Sequence, residues 1–294
     1  MLLWKAIVHI PDGFLSTPVW ATMDVAAAPA VGYIVRRAQR GFDDARVPLL
    51  GVMGAFVFAA QMVNFPVGLG TSGHLVGGAL LAIALGPATA ATVMTAVLIL
   101  QAFILQDGGV MALGANILNM AIAGVLAGYL PYHLWGRGRT RSAAIFLGGF
   151  VSVTVSACMA MTELLTSGVP MPRRLLLISG LLFLANGLIE GAITVAAVRA
   201  IERMNPGWVR AAEPVHARMM IVTALAAAAL ACVGLALSSA APDAIQSALS
   251  IRGAPPGWLN KAALGLAGMG ILYAGLLLVA RRFARHRLAR QGSA

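Results

Sequence analysis

Five histidines occur in the chain, and two of them stand in settings that suit metal chemistry. His9 opens the run His9-Ile10-Pro11-Asp12-Gly13-Phe14, where Pro11 and Gly13 predict a turn that folds the N-terminal segment back over the protein. His74 closes a Gly-rich segment, Asn64-Phe65-Pro66-Val67-Gly68-Leu69-Gly70-Thr71-Ser72-Gly73, read as a loop. Its glycines allow close backbone approach, and Asn64 can orient a ligand from behind by hydrogen bonding. Imidazole nitrogens favour nickel, copper, zinc or cobalt over magnesium or calcium. Spacing alone leaves a second reading open, with His9 as an interfacial anchor and His74 as a helix cap. His133, His216 and His286 lie beside or among arginines and are read as interfacial or solvated. Cys158 and Cys232 fall inside apolar runs, without zinc-finger spacing, and are read as packing residues.

The elements that must position these residues follow from composition. The chain has 294 residues, 60% hydrophobic and 11% charged, whereas soluble domains carry about 25% charged residues. Disorder and an ordinary water-soluble enzyme are excluded, and an all-α polytopic helical bundle in the lipid bilayer is expected. A span needs about 20 apolar residues. Nine candidates meet or approach this: Pro18 to Val35, Leu49 to Phe65, His74 to Leu85, Ala88 to Leu105, Val110 to Leu134, Ala143 to Leu165, Leu175 to Val198, Met219 to Ser238 and Ala262 to Ala280. The third is too short to cross alone and ends at Gly86-Pro87, so it is tilted, continuous with the next helix, or re-entrant.

With nine spans, 16 of the 21 Lys and Arg residues fall on one side. Positive residues near span ends are retained in the cytoplasm, which predicts the N-terminus outside, the C-terminus inside, and both His9 and His74 at the outer face. The net charge of +11 resides in these short loop clusters, which argues against nucleic acid as a partner. Met1 to Val8 is too short for a signal peptide and is not read as targeting. A polar stretch over residues 201–218 separates a body, residues 8–200, from a two-span hairpin with a basic tail, residues 219–294.

Polar residues within spans usually have partners or a task. Asn116 and Asn119 share one helix face, and Asn186, Glu190 and Thr194 share another. All five are read as glue between helices, with ion passage a further role open to Glu190. Asp24 and Asp107 are read as structural, although Asp107 could also draw cations to the outer mouth. Gly51, Ala55 and Ala59 form a small-residue stripe suited to close helix approach. A phosphate-binding loop, a His-Glu-x-x-His signature and a Gly-x-Ser-x-Gly turn are all absent from the sequence.

Five ordered motifs resemble one family. They are His9 to Phe14, Asn64 to Leu75, Gln106-Asp107-Gly108-Gly109, Ala112 to Met120 and Gly187-Leu188-Ile189-Glu190-Gly191. Together they resemble CbiM/NikM, the substrate-binding membrane components of energy-coupling-factor (ECF) cobalt and nickel transporters, over roughly residues 8 to 200. The resemblance implies a square-planar nitrogen set for Ni(II) or Co(II): a terminal amine, the backbone nitrogen and imidazole of the adjoining His, and a second imidazole. Carried over, these are the amine of Val8, the nitrogen and imidazole of His9, and the imidazole of His74, with Asn64 behind them. Seven residues precede Val8, so this set implies a start at Val8, from a GTG codon or by trimming.

Ser238 to Gln246 resembles, in degenerate form, the Pro-Asp-Gly-Leu-Glu segment of CbiN/NikN accessory components, with Ala244 and Gln246 replacing Gly and Glu. The stripe at Gly51, Ala55 and Ala59 would by resemblance meet the transmembrane coupling subunit. The expectation is a non-enzymatic substrate-capture component of an ATP-driven importer in a bacterial or archaeal cell membrane. It would carry no permanent cofactor and would work with a coupling subunit and cytoplasmic ATPase subunits. A stand-alone secondary divalent-metal permease is the alternative. An intramembrane metalloenzyme using Glu163 as base is a more distant one.

Overall fold

A computed structural model describes residues 9–41, 46–68, 71–205 and 209, and in it the apolar runs become helices. Proline in the first turn starts α1 (Thr17–Arg40), α2 (Val47–Gln61) and α4 (Pro87–Leu100), a position where its fixed φ fits and its missing N–H costs nothing. Five helical segments are long and apolar enough to cross a membrane: Thr17–Arg40, Pro87–Leu105, Leu113–Trp135, Gly138–Thr166 and Leu176–Met204. The second of these is α4 extended by a π-helical turn, Gln101–Leu105. The third joins α5 (Leu113–Asn116), a π-helical stretch (Ile117–Gly124) and α6 (Val125–Trp135). The last two contain α7 (Arg141–Thr166) and most of α8 (Arg173–Met204).

Two of the nine expected spans are shorter than a crossing. The Leu49 to Phe65 run stops at Gln61 as the 15-residue α2, because the chain turns into a strand at Asn64. The His74 to Leu85 run yields only the eight residues of α3 (Gly78–Leu85). The spans expected at Met219 to Ser238 and Ala262 to Ala280 lie outside the described residues, as does Val8. The Gly-rich segment read as a loop is an antiparallel hairpin of β1 (Asn64–Gly68) and β2 (Thr71–His74), with Asn64 opposite His74. Pro66, Gly68 and Gly73 deny this stretch a helix, and pairing across the turn satisfies its backbone instead.

Hydrogen bonds fix which helix ends lie together. Gln61, at the end of α2, donates through Nε2 to the Val76 carbonyl before α3 at 2.6 Å. Gln101, at the end of α4, donates to Gln61 Oε1 at 2.8 Å. The start of α3 therefore lies level with the end of α4, and Gly86 (φ 83°) turns the chain between them, which makes α3 and α4 a hairpin of helices. All eight residues of α3 are buried, in the middle of the core. Gly77, left-handed at φ 75°, precedes it so closely packed that a Cβ there would come within 2.7 Å of Val57 Cγ1.

The α7 and α8 backbones meet at Gly149 and Gly191, where a Cβ on Gly149 would lie 2.8 Å from the Gly191 Cα. Gly51 and Ala59 of the α2 stripe are buried inside the bundle, with Ala55 packed on the same core, so this stripe serves internal packing. The outer faces are apolar: Leu126, Leu130 and Leu134 on α6 and Leu177, Leu181, Leu184 and Leu188 on α8 are exposed, as a lipid solvent requires.

Candidate metal site

His9 and His74 are 65 positions apart in the sequence, and their ring centroids stand 5.0 Å apart at 51°. With metal–nitrogen bonds of about 2.0–2.1 Å, two neighbouring imidazole ligands of one ion have centroids roughly 4.5 Å apart, so this separation suits a shared ion with little adjustment. Among the described residues no group of three His, Cys, Asp or Glu side chains is placed to hold a metal.

The His9 end is built on residues 107–116. The Ile10 N–H donates to Asn116 Oδ1 at 2.8 Å, and Asn116 Nδ2 donates back to the Ile10 carbonyl at 2.9 Å. Gly109 N–H donates to that same carbonyl at 2.9 Å. Asp12 accepts from the amides of Val110, Met111 and Ala112 at 3.0, 2.7 and 3.3 Å, covering the amides that lead into α5. A Cβ on Gly109 would stand 2.5 Å from the Asp12 nitrogen, so glycine is what lets the two segments touch. Ile10 and Leu15 are sealed beneath by Ala112, Ala115, Ala160 and Leu164. Asp24 accepts from Gly114 N–H at 2.7 Å and ties α1 to the same platform, the structural role expected for it.

The His74 end is held from below. Glu190 of α8, 1% exposed, accepts the Val76 and Gly77 amides at 2.8 and 2.7 Å. Gln61 takes the Val76 carbonyl, and Gln101 braces Gln61. The Asp107 amide donates to the Gln101 carbonyl at 3.0 Å, so this chain of polar groups runs on toward His9. His74 Nδ1 lies 3.0 Å from the Leu75 carbonyl, a contact that helps to orient the ring. Asn64 faces His74 across the hairpin register.

His9 is 2% exposed; its Nδ1 sits 3.2 Å from Asp107 Oδ1, and its Nε2 is buried without a hydrogen-bond partner. A chelate using the backbone nitrogen and imidazole of one histidine can close only through Nδ1, the nitrogen that here faces Asp107. Burial raises the proton affinity of the Asp107 carboxyl, but the charge and hydrogen bond of His9, with a smaller effect of His74, outweigh it and hold the group at about 2. The site therefore keeps a negative charge beside its two rings.

Glu190 and Asn116, expected as glue between helices, do tie elements together, and they do so through the backbone that follows each histidine: Val76 and Gly77 at the start of α3 for Glu190, Ile10 for Asn116. Asp12, Gln61 and Gln101 were not singled out, although glutamines inside apolar runs are a signal of partnered polar groups. Glu163 accepts from Asn119 Nδ2 at 2.8 Å.

A family model for the cobalt uptake substrate-specific transmembrane region, CbiM, matches residues 9–208. The chain belongs to the CbiM family. This CbiM-family chain is 36% identical over 228 residues to the "Putative fused nickel transport protein NikMN" of Archaeoglobus fulgidus, covering 75% of this chain and 74% of that one. It is 38% identical over 145 residues to the cobalt transport protein CbiM of Thermosediminibacter oceani, covering 48% and 59%. The crystal structure of a truncated transition metal transporter is similar with a TM-score of 0.59 at 30% identity, covering 66% of this chain and 98% of that one. The chain is a multi-pass membrane protein and a cobalt or nickel transport component.

Proposed function

We propose that the protein captures Ni(II) or Co(II) at the outer face of the membrane and presents it for import by an ECF-type complex. The observation that carries this reading is the convergence of His9 and His74 at one end of the bundle, on backbone segments held by buried Asn116 and Glu190. The ion is the cargo, held by both imidazoles, the His9 backbone nitrogen and the Val8 amine, with Asn64 behind them. This donor set implies a chain that begins at Val8, which mass spectrometry of the native N-terminus tests. It also requires Nδ1 of His9 to exchange Asp107 for the ion. A four-nitrogen square-planar Ni(II) complex is diamagnetic, so a paramagnetic Ni(II) adduct would contradict it.

The arginines support the orientation. Arg36, Arg37, Arg40, Arg137, Arg139, Arg141, Arg199 and Arg203 stand at helix ends away from the two histidines, the side expected to face the cytoplasm. The capture domain, expected over residues 8–200, runs on to the end of α8 at Met204, where Glu202 pairs with Arg141, so the cytoplasmic linker expected over residues 201–218 starts after that helix. Residues 219–294, which lie outside the described residues, are assigned an accessory role, a reading supported by the fused composition that the Archaeoglobus relative's name states. Energy comes from separate cytoplasmic ATPase subunits through a transmembrane coupling subunit, since this sequence carries no phosphate-binding loop. The test is His74→Ala: metal uptake is expected to be lost while the protein still reaches the membrane, and unchanged accumulation would refute the site.

A further inference from the structure

A second polar cavity lies at the opposite end of the bundle from the histidine pair. It has a volume of about 330 Å³ and is lined by Tyr129, Tyr132, His133, Gly136, Arg137, Gly138 and Arg141. Its wall is preformed. The Tyr129 ring stands 6.1 Å from Tyr132 and 5.8 Å from His133, and the Arg141 guanidinium lies 5.7 Å over the Tyr132 ring. Arg141 is fixed by a two-pronged ion pair with Glu202. Thr140 Oγ1 donates to the Trp135 and Arg137 carbonyls, which shapes the turn that forms the rim.

The electrostatics are unbalanced. Glu202 is the one acidic side chain at this end among the described residues, against Arg137, Arg139, Arg141, Arg199 and Arg203. Among the described residues neither the Arg137 nor the His133 side chain has an acidic partner or a side-chain hydrogen bond, and both are exposed and line the cavity. The cavity therefore has fixed aromatic walls and two donors available for an anion.

The neighbouring surface narrows the class of anion. Leu126, Leu130 and Leu134 are 51%, 54% and 55% exposed and repeat every four residues along α6, which ends at Trp135 (54% exposed), next in the chain to Gly136 of the cavity lining. One helix face thus offers an apolar track that ends in an aromatic belt residue and a cationic pocket, the sequence of environments along one phospholipid molecule. We infer that this cavity binds the phosphate headgroup of an anionic phospholipid, with Arg137 and His133 on the phosphate and the acyl chains along the α6 leucines. An acidic protein segment would use the cations but not the leucine track.

The test uses the full chain, purified in neutral detergent and stripped of lipid. Phosphatidylglycerol is expected to raise the thermal midpoint by about 5 °C, and by less than about 1 °C in the Arg137→Gln, His133→Gln double variant. Phosphatidylcholine should do neither. Equal stabilisation of the double variant, or by phosphatidylcholine, would overturn the assignment. A matching shift from soluble glycerol phosphate would make the ligand a free phosphate instead, and one from a hexaglutamate peptide would make it an acidic protein segment; either result rejects the lipid. Native mass spectrometry counts bound lipids independently of stability, and the double variant must carry one phosphatidylglycerol fewer than the wild-type chain.

Discussion

Asp107 touches a candidate ligand, stands partly open to solvent at 38% exposure, and remains a carboxylate down to about pH 2. Its charge is therefore present across the physiological pH range, and it is expected to draw cations toward the two histidines. Asp107→Asn is expected to slow metal association a few-fold and to flatten its salt dependence, measured by stopped-flow at two ionic strengths. Metal binding should weaken on acidification because the nitrogen donors must be deprotonated to ligate. Since Asp107 stays ionised throughout that range, titration of binding between pH 8 and pH 5 reports the nitrogens. The histidines were legible in the sequence because each sits in a distinctive local motif. Asn116 was legible only as a buried polar residue. Its true partner, the Ile10 backbone, is 106 positions away and follows no helical spacing.

At the scale of elements, two of the contacts that hold the site's backbone have distinct failures. Glu190→Ala leaves the buried amides of Val76 and Gly77 without an acceptor, a cost of about 1–3 kcal/mol each, so a drop of about 5 °C or more in thermal midpoint is expected together with lost metal affinity. Gly109→Ala places a methyl against Asp12 and forces the His9 segment off α5. It should lower metal affinity by about tenfold or more, as misplacing a ligand's support does, while the far-ultraviolet spectrum of the bundle is unchanged. The helices themselves were readable because long apolar runs must satisfy their backbones internally in lipid. The hairpin was not, since its strands are four and five residues long and Gly-rich, and their pairing depends on the frame around them. The end of α2 was missed for the same reason: Met62 and Val63 are as apolar as the helix before them, and only the strand at Asn64 sets the boundary.

For the whole molecule, the ECF reading predicts that uptake in cells disappears when the ATPase and coupling subunits are deleted, whereas a stand-alone permease would continue to accumulate metal. The seven candidate spans within the described residues could be found from hydropathy, but hydropathy treats α3 as one more apolar run and says nothing of where it sits. Every residue of that helix is enclosed, and Ala79, Leu80, Leu81 and Ala82 have no measurable exposure at all. Beyond the polar groups that hold the His74 backbone, then, lies packed hydrocarbon. On the proposed reading, cargo set on the imidazoles is expected to leave by tilting of the whole component in the bilayer rather than by slipping past α3.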